Sequence, residues 1–316
     1  MTTSHLSTPV DAGREVAENA AVDTPLAPEA GQEASALRRL WVFLAVVSFL
    51  ACAALAFARP QASWEWIPAI LCLGIFGFKA ARQASRAPYP NTVPALTLAL
   101  MIPGYHVIAA INRERPLGTP ELALDRAIGP EPAWMIAYGS IWFFAFLPVL
   151  VVRGARLSRR ALHAFIAVVA AAYVGFLVYP TVLPRPEIAQ GGFFAWALQL
   201  NYDLDPPLNC FPSLHVAWAF VAALACYRVH RGVGIAAQAW AGLIAVSTLY
   251  TKQHYFVDVV AGLAIAYLAY VVFLSGHSRD EVAEIDRRLA PLRAVRAVWI
   301  YVAAIAALWL AFTLGR

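Results

Sequence analysis

Apolar runs of membrane-spanning length recur along this chain and constrain its fold more than any other feature. A helix needs roughly 20 apolar residues to cross the hydrocarbon core of a bilayer. Of the 316 residues, 61% are hydrophobic and only 14% are charged, too few to give a soluble domain of this size a polar surface. We therefore expect an integral membrane protein. Eight runs approach the required length: 40–58, 66–80, 134–152, 161–179, 212–227, 233–250, 256–274 and 298–314.

A ninth stretch, 93–111, is also apolar but contains Pro103, Gly104 and His106. It either spans the bilayer, kinks within it or re-enters on the same side. A chain in hydrocarbon must satisfy its backbone N–H and C=O groups internally, and a helix does so within one segment. We therefore predict an all-α fold, a polytopic transmembrane helical bundle.

The basic residues are concentrated in three connections between apolar runs. The net charge of +5 would also suit a nucleic-acid partner. Basic residues in short loops between apolar runs set membrane topology instead, so we expect no nucleic-acid partner. Lysine occurs only at Lys79 and Lys252, an arginine bias that favours a bacterial source. We expect the three connections to face the cytoplasm from a bacterial inner membrane, which places 180–211 and 251–255 on the non-cytoplasmic face. The arginines of the three basic connections are Arg153, Arg156, Arg159 and Arg160; Arg228 and Arg231; and Arg279, Arg287, Arg288, Arg293 and Arg296.

His254 and Asp258 are four residues apart at the start of an apolar run. Residues at this spacing share one face of a helix, so the carboxylate can orient the imidazole, fix its tautomer and support a positive charge on it. The alternative is that both residues merely cap a helix at the membrane surface.

A second polar cluster, 209–215, opens another apolar run and places His215 at the same membrane depth as His254. Pro212 suits a helix start, where free N–H groups and the Ser213 hydroxyl make an anion site. Taken alone, such a segment is typical of a structural cap.

Arg185 is the third element, held between Pro184 and Pro186 just after an apolar run. A guanidinium on this stiffened backbone can bind phosphate oxygens in a bidentate manner. An arginine that only faces lipid head groups is the alternative. Because ionisable groups near a membrane are costly and tend to mark function, the three clusters together indicate a site for phosphate chemistry.

These clusters resemble the motifs of the type 2 phosphatidic acid phosphatase superfamily: Lys with Arg-Pro seven residues on, Pro-Ser-Gly-His, and Ser-Arg with His and Asp downstream. The corresponding segments here are 178–186, 212–215 and 247–258, with the same spacing. The resemblance extends over 124–274 and implies a six-helix phosphatidic-acid-phosphatase-like core. Leu214 in place of the glycine, and the strings Leu-Asp-Arg-Ala-Ile from residue 124 and His-Tyr-Phe-Val-Asp from residue 254, resemble the branch that includes inositol phosphorylceramide synthases.

The resemblance implies that His254 attacks phosphorus to form a phosphohistidine, that Asp258 orients it and that His215 protonates the departing oxygen. It implies no metal and no other cofactor. Two cations of the family pattern are replaced here, by Val178 and Thr248. A phosphate monoester carries close to two negative charges and a diester one, so the missing cations favour a phosphodiester donor.

The remaining site residues are assigned less directly. Lys252 either compensates for the missing cations or faces head groups, and His106 is either functional or a packing residue. We expect phosphate to be bound by Arg185, Ser213 and Lys252, and an acceptor pocket to be lined by Tyr179 and His106. The segment 193–198 is predicted to lie on the membrane surface or to cover the site.

Four segments are predicted: a disordered tail at 1–36, N-terminal transmembrane helices at 37–115, a catalytic membrane core at 116–276, and a cytoplasmic connection with a C-terminal transmembrane helix at 277–316. The leading hypothesis is a phosphotransferase that passes a head-group phosphate, specifically inositol phosphate, from a phospholipid to a lipid or polyol alcohol. The alternatives are a lipid phosphate or polyprenyl phosphate phosphatase, and a non-catalytic scaffold or transporter.

Overall fold

The computed structural model describes residues 91–189 and 191–314 of the chain. The chain divides into the units Met1–Pro88 and Tyr89–Arg316, and the described residues all belong to the second. The tail expected at 1–36 and the apolar runs 40–58 and 66–80 lie outside the described residues.

The described residues form helices joined by loops, with two isolated β-bridges, which confirms the predicted all-α class. Five of the helical segments are long and apolar enough to cross a membrane: Val93–Asn112, Ala155–Val178, Arg231–Tyr250, Phe256–Leu274 and Glu284–Leu314. The α-helices are α1 (Thr92–Met101), α2 (Gly104–Asn112), α3 (Ala123–Ala127), α4 (Met135–Tyr138), α5 (Ile141–Phe144), α6 (Leu147–Val151), α7 (Ala155–Val178), α8 (Gly192–Leu204), α9 (Leu214–Tyr227), α10 (Arg231–Tyr250), α11 (Phe256–Ala269) and α12 (Glu284–Leu314).

Two apolar stretches differ from simple spans. The stretch 93–111 is long enough to span and is interrupted only at Ile102 and Pro103, between α1 and α2, where the proline cannot donate a backbone hydrogen bond. The run 134–152, predicted as one span, instead forms α4, α5 and α6, separated by breaks near Gly139 and before Pro148.

Helix α9 lies at the centre of the bundle and packs against α7, α10 and α11. Its inner surface consists largely of small buried residues, which allow neighbouring helix backbones to approach closely. The apolar part of α12 contains no buried residue, as expected for a helix that faces lipid. The fully buried residues of α9 include Val216, Ala217, Ala219, Val221, Ala222, Ala223 and Ala225.

The turn formed by Pro212 and Ser213, before α9, packs closely between α7 and α11. A Cβ atom on Gly262 of α11 would lie closer than 3.0 Å to the Ser213 carbonyl oxygen, and one on Gly175 of α7 would clash with the Pro212 ring. The Ser213 amide also donates to the Asp258 carbonyl oxygen at 3.0 Å. The close contacts at Gly175 and Gly262 therefore determine the position of the first turn of α9 relative to α7 and α11.

The arginine-rich connections meet at the opposite end of α9. Arg156 pairs with Glu281 at 3.0 Å, Arg228 donates to the Ser275 carbonyl, and Arg279 donates to the Tyr227 carbonyl. These contacts tie the start of α7 and the end of α9 to the segment that leads into α12. Helix α12 itself begins at Glu284, well before the apolar run predicted from residue 298.

Candidate active site

Three loops meet at the end of the bundle away from the arginine-rich connections. They follow α7, precede α9 and join α10 to α11, and they carry Arg185, the Phe211–Ser213 turn and His254 respectively. His215 lies in the first turn of α9 and His254 immediately before α11. The helix ends therefore bring together the three clusters that the sequence singled out.

The two histidines are in direct contact. His215 Nδ1 lies 3.0 Å from His254 Nε2, and His254 Nδ1 lies 2.9 Å from the Cys210 carbonyl oxygen. A carbonyl can only accept, so His254 carries its proton on Nδ1 and its lone pair on Nε2. His215 Nδ1–H then donates to that lone pair, and the Tyr138 hydroxyl, 3.0 Å from His215 Nε2, donates to the other side of the ring. The partners thus define one consistent arrangement of protons for neutral histidines.

Asp258 lies behind His254 and is completely buried. Its Oδ2 accepts the Tyr255 amide at 2.8 Å and is 3.6 Å from His254 Nδ1, so the Cys210 carbonyl is the nearer acceptor for that ring nitrogen. Asp258 Oδ1 is buried and has no hydrogen-bond partner among the described residues. The carboxylate is therefore close enough to stabilise a positive charge on His254.

A second carboxylate supports the same helix start. Asp125 of α3 is buried; its Oδ1 accepts the Phe256 amide at 2.8 Å and its Oδ2 accepts the Leu122 amide. The first N–H groups of a helix lack partners within the helix. Asp125 and Asp258 satisfy two such donors directly after His254, which restricts the position of this histidine.

Arg185 is held on several sides. One Nη donates to the Lys252 carbonyl, the other lies 3.9 Å from Asp205 Oδ2, and the guanidinium lies 4.9 Å from the centre of the Tyr202 ring. Its Nε is buried and has no hydrogen-bond partner in the described part of the chain. Arg185 thus keeps one unsatisfied donor inside the site.

Asp205 is a site residue that the sequence analysis did not identify, and Tyr105 is its hydrogen-bond partner. Asp205 Oδ1 accepts from the Tyr105 hydroxyl at 2.9 Å. Burial raises the pKa of Asp205, an effect that the neighbouring Arg185 guanidinium opposes. The local signal was Asp205 followed by two prolines, on a stiffened segment between two of the motifs.

The expected phosphate ligands Ser213 and Lys252 have other partners in the structure. Ser213 is fully buried and its hydroxyl accepts the Val216 amide at 3.3 Å, so it caps α9. Lys252 donates from Nζ to the Asp125 carbonyl oxygen at 2.8 Å and takes part in the site through its own carbonyl.

The two residues expected in an acceptor pocket lie at the margin of the site. Tyr179 is 41% exposed and its ring contacts that of Phe211. His106 is exposed and packs edge-on against Tyr105, whose hydroxyl is the group that reaches Asp205. Over 91–189 and 191–314 no group of three or more His, Cys, Asp or Glu side chains is arranged to hold a metal ion.

Comparison with known proteins gives a relative and a family model that match part of this chain. The chain is 32% identical over 101 residues to a PA-phosphatase related-family protein of Dictyostelium discoideum, a match that spans 28% of this chain and 18% of the relative. No solved structure matches the chain. Residues 133–272 match the model of the PAP2 superfamily, so the similarity to that superfamily covers the segment that contains Arg185, His215, His254 and Asp258.

Proposed function

We propose that this integral membrane protein is a lipid phosphotransferase of the PAP2 superfamily. It passes a head-group phosphate, specifically inositol phosphate, from a phospholipid to a lipid or polyol alcohol through a phosphohistidine at His254. The observation that carries the proposal is the 3.0 Å contact between His215 Nδ1 and His254 Nε2, with a carbonyl and a carboxylate behind His254. The match to the PAP2 superfamily supports phosphatase or phosphotransferase chemistry in general.

In the first step the two rings move apart from their 3.0 Å contact and the donor phosphorus lies between them. His254 Nε2 attacks phosphorus, and the bond from phosphorus to the lipid oxygen breaks. His215, protonated on both nitrogens at this stage, gives its Nδ1 proton to the departing oxygen. The positive charge that develops on His254 is stabilised by the Cys210 carbonyl and Asp258.

The second step reverses these roles. His215 now carries a proton on Nε2 and a lone pair on Nδ1, so it can accept the proton of an alcohol that attacks the phosphohistidine. The nitrogen–phosphorus bond breaks, and His215 becomes doubly protonated again. The Tyr138 hydroxyl can donate to or accept from His215 Nε2, so it serves both protonation states.

The charges near the histidines favour a monoanionic donor. The nearby Asp205 carboxylate partly offsets the positive charge of Arg185. The Lys252 ammonium donates to the Asp125 backbone carbonyl. Where the family pattern has a third cation, Thr248 is buried and donates to the Ala245 carbonyl. A phosphodiester therefore suits this site better than a dianionic monoester.

The test uses purified protein with phosphatidylinositol labelled in the head-group phosphate and a ceramide-like acceptor. We expect the label to enter a second lipid, and His254→Asn to abolish the transfer because it removes the nucleophilic nitrogen. His163→Asn is the matched control, since His163 is exposed near the start of α7, at the arginine-rich end. Transfer that survives His254→Asn would contradict the assigned nucleophile.

Hydrolysis of a lipid phosphate or polyprenyl phosphate is the second candidate, and the name of the Dictyostelium relative favours it. The same residues would act, with water in place of the alcohol. The labelled-donor experiment distinguishes the two reactions when phosphatidic acid is supplied in parallel. Inorganic phosphate from the monoester as the main product would refute the transferase proposal.

A further inference from the structure

Asp205 and Tyr105 form a polar pair beside the histidines that the proposed reaction does not use. Within 91–189 and 191–314, the one hydrogen bond to the Asp205 carboxylate is the bond from the Tyr105 hydroxyl to Oδ1. Asp205 Oδ2 is 3.9 Å from the Arg185 guanidinium, too far for a hydrogen bond. The Asp205 side chain is only 14% exposed and the Arg185 side chain 13%. Arg185 Nε is buried without a partner among the described residues. Asp205 Oδ2 and Arg185 Nε therefore remain able to form hydrogen bonds at a largely desolvated position.

The position of this pair is fixed by a buried network. Asn112 donates to Asn209 Oδ1 at 3.1 Å, and Asn209 donates to the Tyr105 carbonyl at 2.9 Å. Both asparagines are buried. Polar groups held in this way form a preorganised recognition surface, because little entropy is lost when a ligand binds.

A carboxylate beside a phosphate-binding arginine is unfavourable for anion binding unless it makes another contact with the ligand. A ligand hydroxyl can donate to Asp205 Oδ2 while the Tyr105 hydroxyl keeps its bond to Oδ1. A hydroxyl close to the ester carbon of a phosphodiester head group would lie near the phosphate bound at Arg185. Sites that hydrogen-bond a hydroxyl discriminate strongly against analogues without one.

We infer that Asp205, positioned by Tyr105, binds a hydroxyl of the donor head group through Oδ2 and makes the site selective for polyol phosphodiesters. The inference rests on the proposed function, since it requires a phosphodiester at Arg185. Asp205 contacts the substrate directly and is a specificity-determining residue. Its negative charge also disfavours phosphate monoesters.

The test compares three donors in matched detergent micelles: phosphatidylinositol, phosphatidylethanol and phosphatidic acid. The first two are monoanionic diesters that differ in their hydroxyl groups, and the third is a monoester. Release of diacylglycerol measures kcat/KM for all three. The variant is Asp205→Asn, and the control is Asp203→Asn, an exposed aspartate two residues earlier that accepts a hydrogen bond from Gln199.

We expect Asp205→Asn to lower the ratio of kcat/KM for phosphatidylinositol over phosphatidylethanol about tenfold, as for loss of a hydrogen bond to a charged group. Turnover of phosphatidic acid should rise, and Asp203→Asn should change neither value. Tyr105→Phe, which keeps the carboxylate, should lower the same ratio by a smaller factor, and it provides the test if Asp205→Asn does not fold. An equal loss with both diesters would overturn the inference, because Asp205 would then only hold Arg185. A wild-type protein that turns over neither diester would refute the proposed function itself.

Discussion

At the scale of single residues, Tyr138 contacts Nε2 of His215, the ring nitrogen that does not contact His254. Its hydroxyl lies 3.0 Å from His215 Nε2, and the tyrosine is completely buried. We predict that Tyr138→Phe lowers kcat about tenfold and leaves KM nearly unchanged, since about 1.4 kcal/mol of hydrogen bonding to the general acid is lost. Steady-state transfer assays measure both constants.

Tyr250→Phe is the matched control for this prediction. Tyr250 stacks on Trp134 with ring centres 4.9 Å apart, and its hydroxyl makes no hydrogen bond among the described residues. The control variant should keep the wild-type kcat. An unchanged kcat in Tyr138→Phe would show that Tyr138 does not assist His215.

The sequence identified those site residues whose neighbours along the chain form a pattern. The spacing of His254 and Asp258 and the proline-flanked Arg185 singled them out, and the structure places them together, although their catalytic roles stay predictions. The Tyr105–Asp205 pair joins residues 100 positions apart. No local pattern connects two such residues, so the pair becomes visible only when α2 and the end of α8 pack together.

At the scale of elements, the relative position of α9 and α11 sets the distance between the histidines. Gly262 allows α11 to touch the Ser213 carbonyl at the start of α9. We predict that Gly262→Ala separates these helices, destabilises the protein by about 1–3 kcal/mol, as overpacking does, and lowers kcat by at least about tenfold. Thermal unfolding in detergent and transfer assays test the two effects.

Gly242→Ala is the control for this helix contact. Gly242 lies within α10, and an added Cβ would meet no atom within 4 Å. This substitution should leave activity unchanged and stabilise the helix by up to about 1 kcal/mol. If Gly262→Ala behaved like Gly242→Ala, the helix contact would not determine the geometry of the site.

Hydrophobicity predicted the helical class but not every helix boundary. The run 134–152 is apolar throughout, yet its helix is interrupted near Gly139 and before Pro148. The second break follows from Pro148, because proline cannot donate a hydrogen bond within a helix and clashes with the preceding turn. Conversely, α12 extends to Glu284 through charged residues that a hydropathy pattern assigns to a loop. Ion pairs such as Arg288 with Glu284, one turn apart, support a helix outside the apolar region.

At the scale of the whole molecule, the path of the chain separates the site from the arginine-rich end. Helix α7 runs from the arginine-rich end to the site, α9 returns, α10 runs to the site again and α11 returns. This path places the histidines at one end of the bundle and Arg156, Arg228 and Arg279 at the other. By the positive-inside rule we expect the arginine-rich end to face the cytoplasm.

This orientation predicts which positions a membrane-impermeant maleimide can reach in right-side-out spheroplasts. Asp203→Cys and Asp280→Cys, each made in a variant without the four native cysteines, replace exposed aspartates at the two ends of the bundle. We expect Asp203→Cys to react in intact spheroplasts and Asp280→Cys to react only after permeabilisation. The opposite pattern would place the site in the cytoplasm and contradict the orientation. With the expected pattern, His254 can act only on lipids and acceptor alcohols that reach the outer face of the membrane.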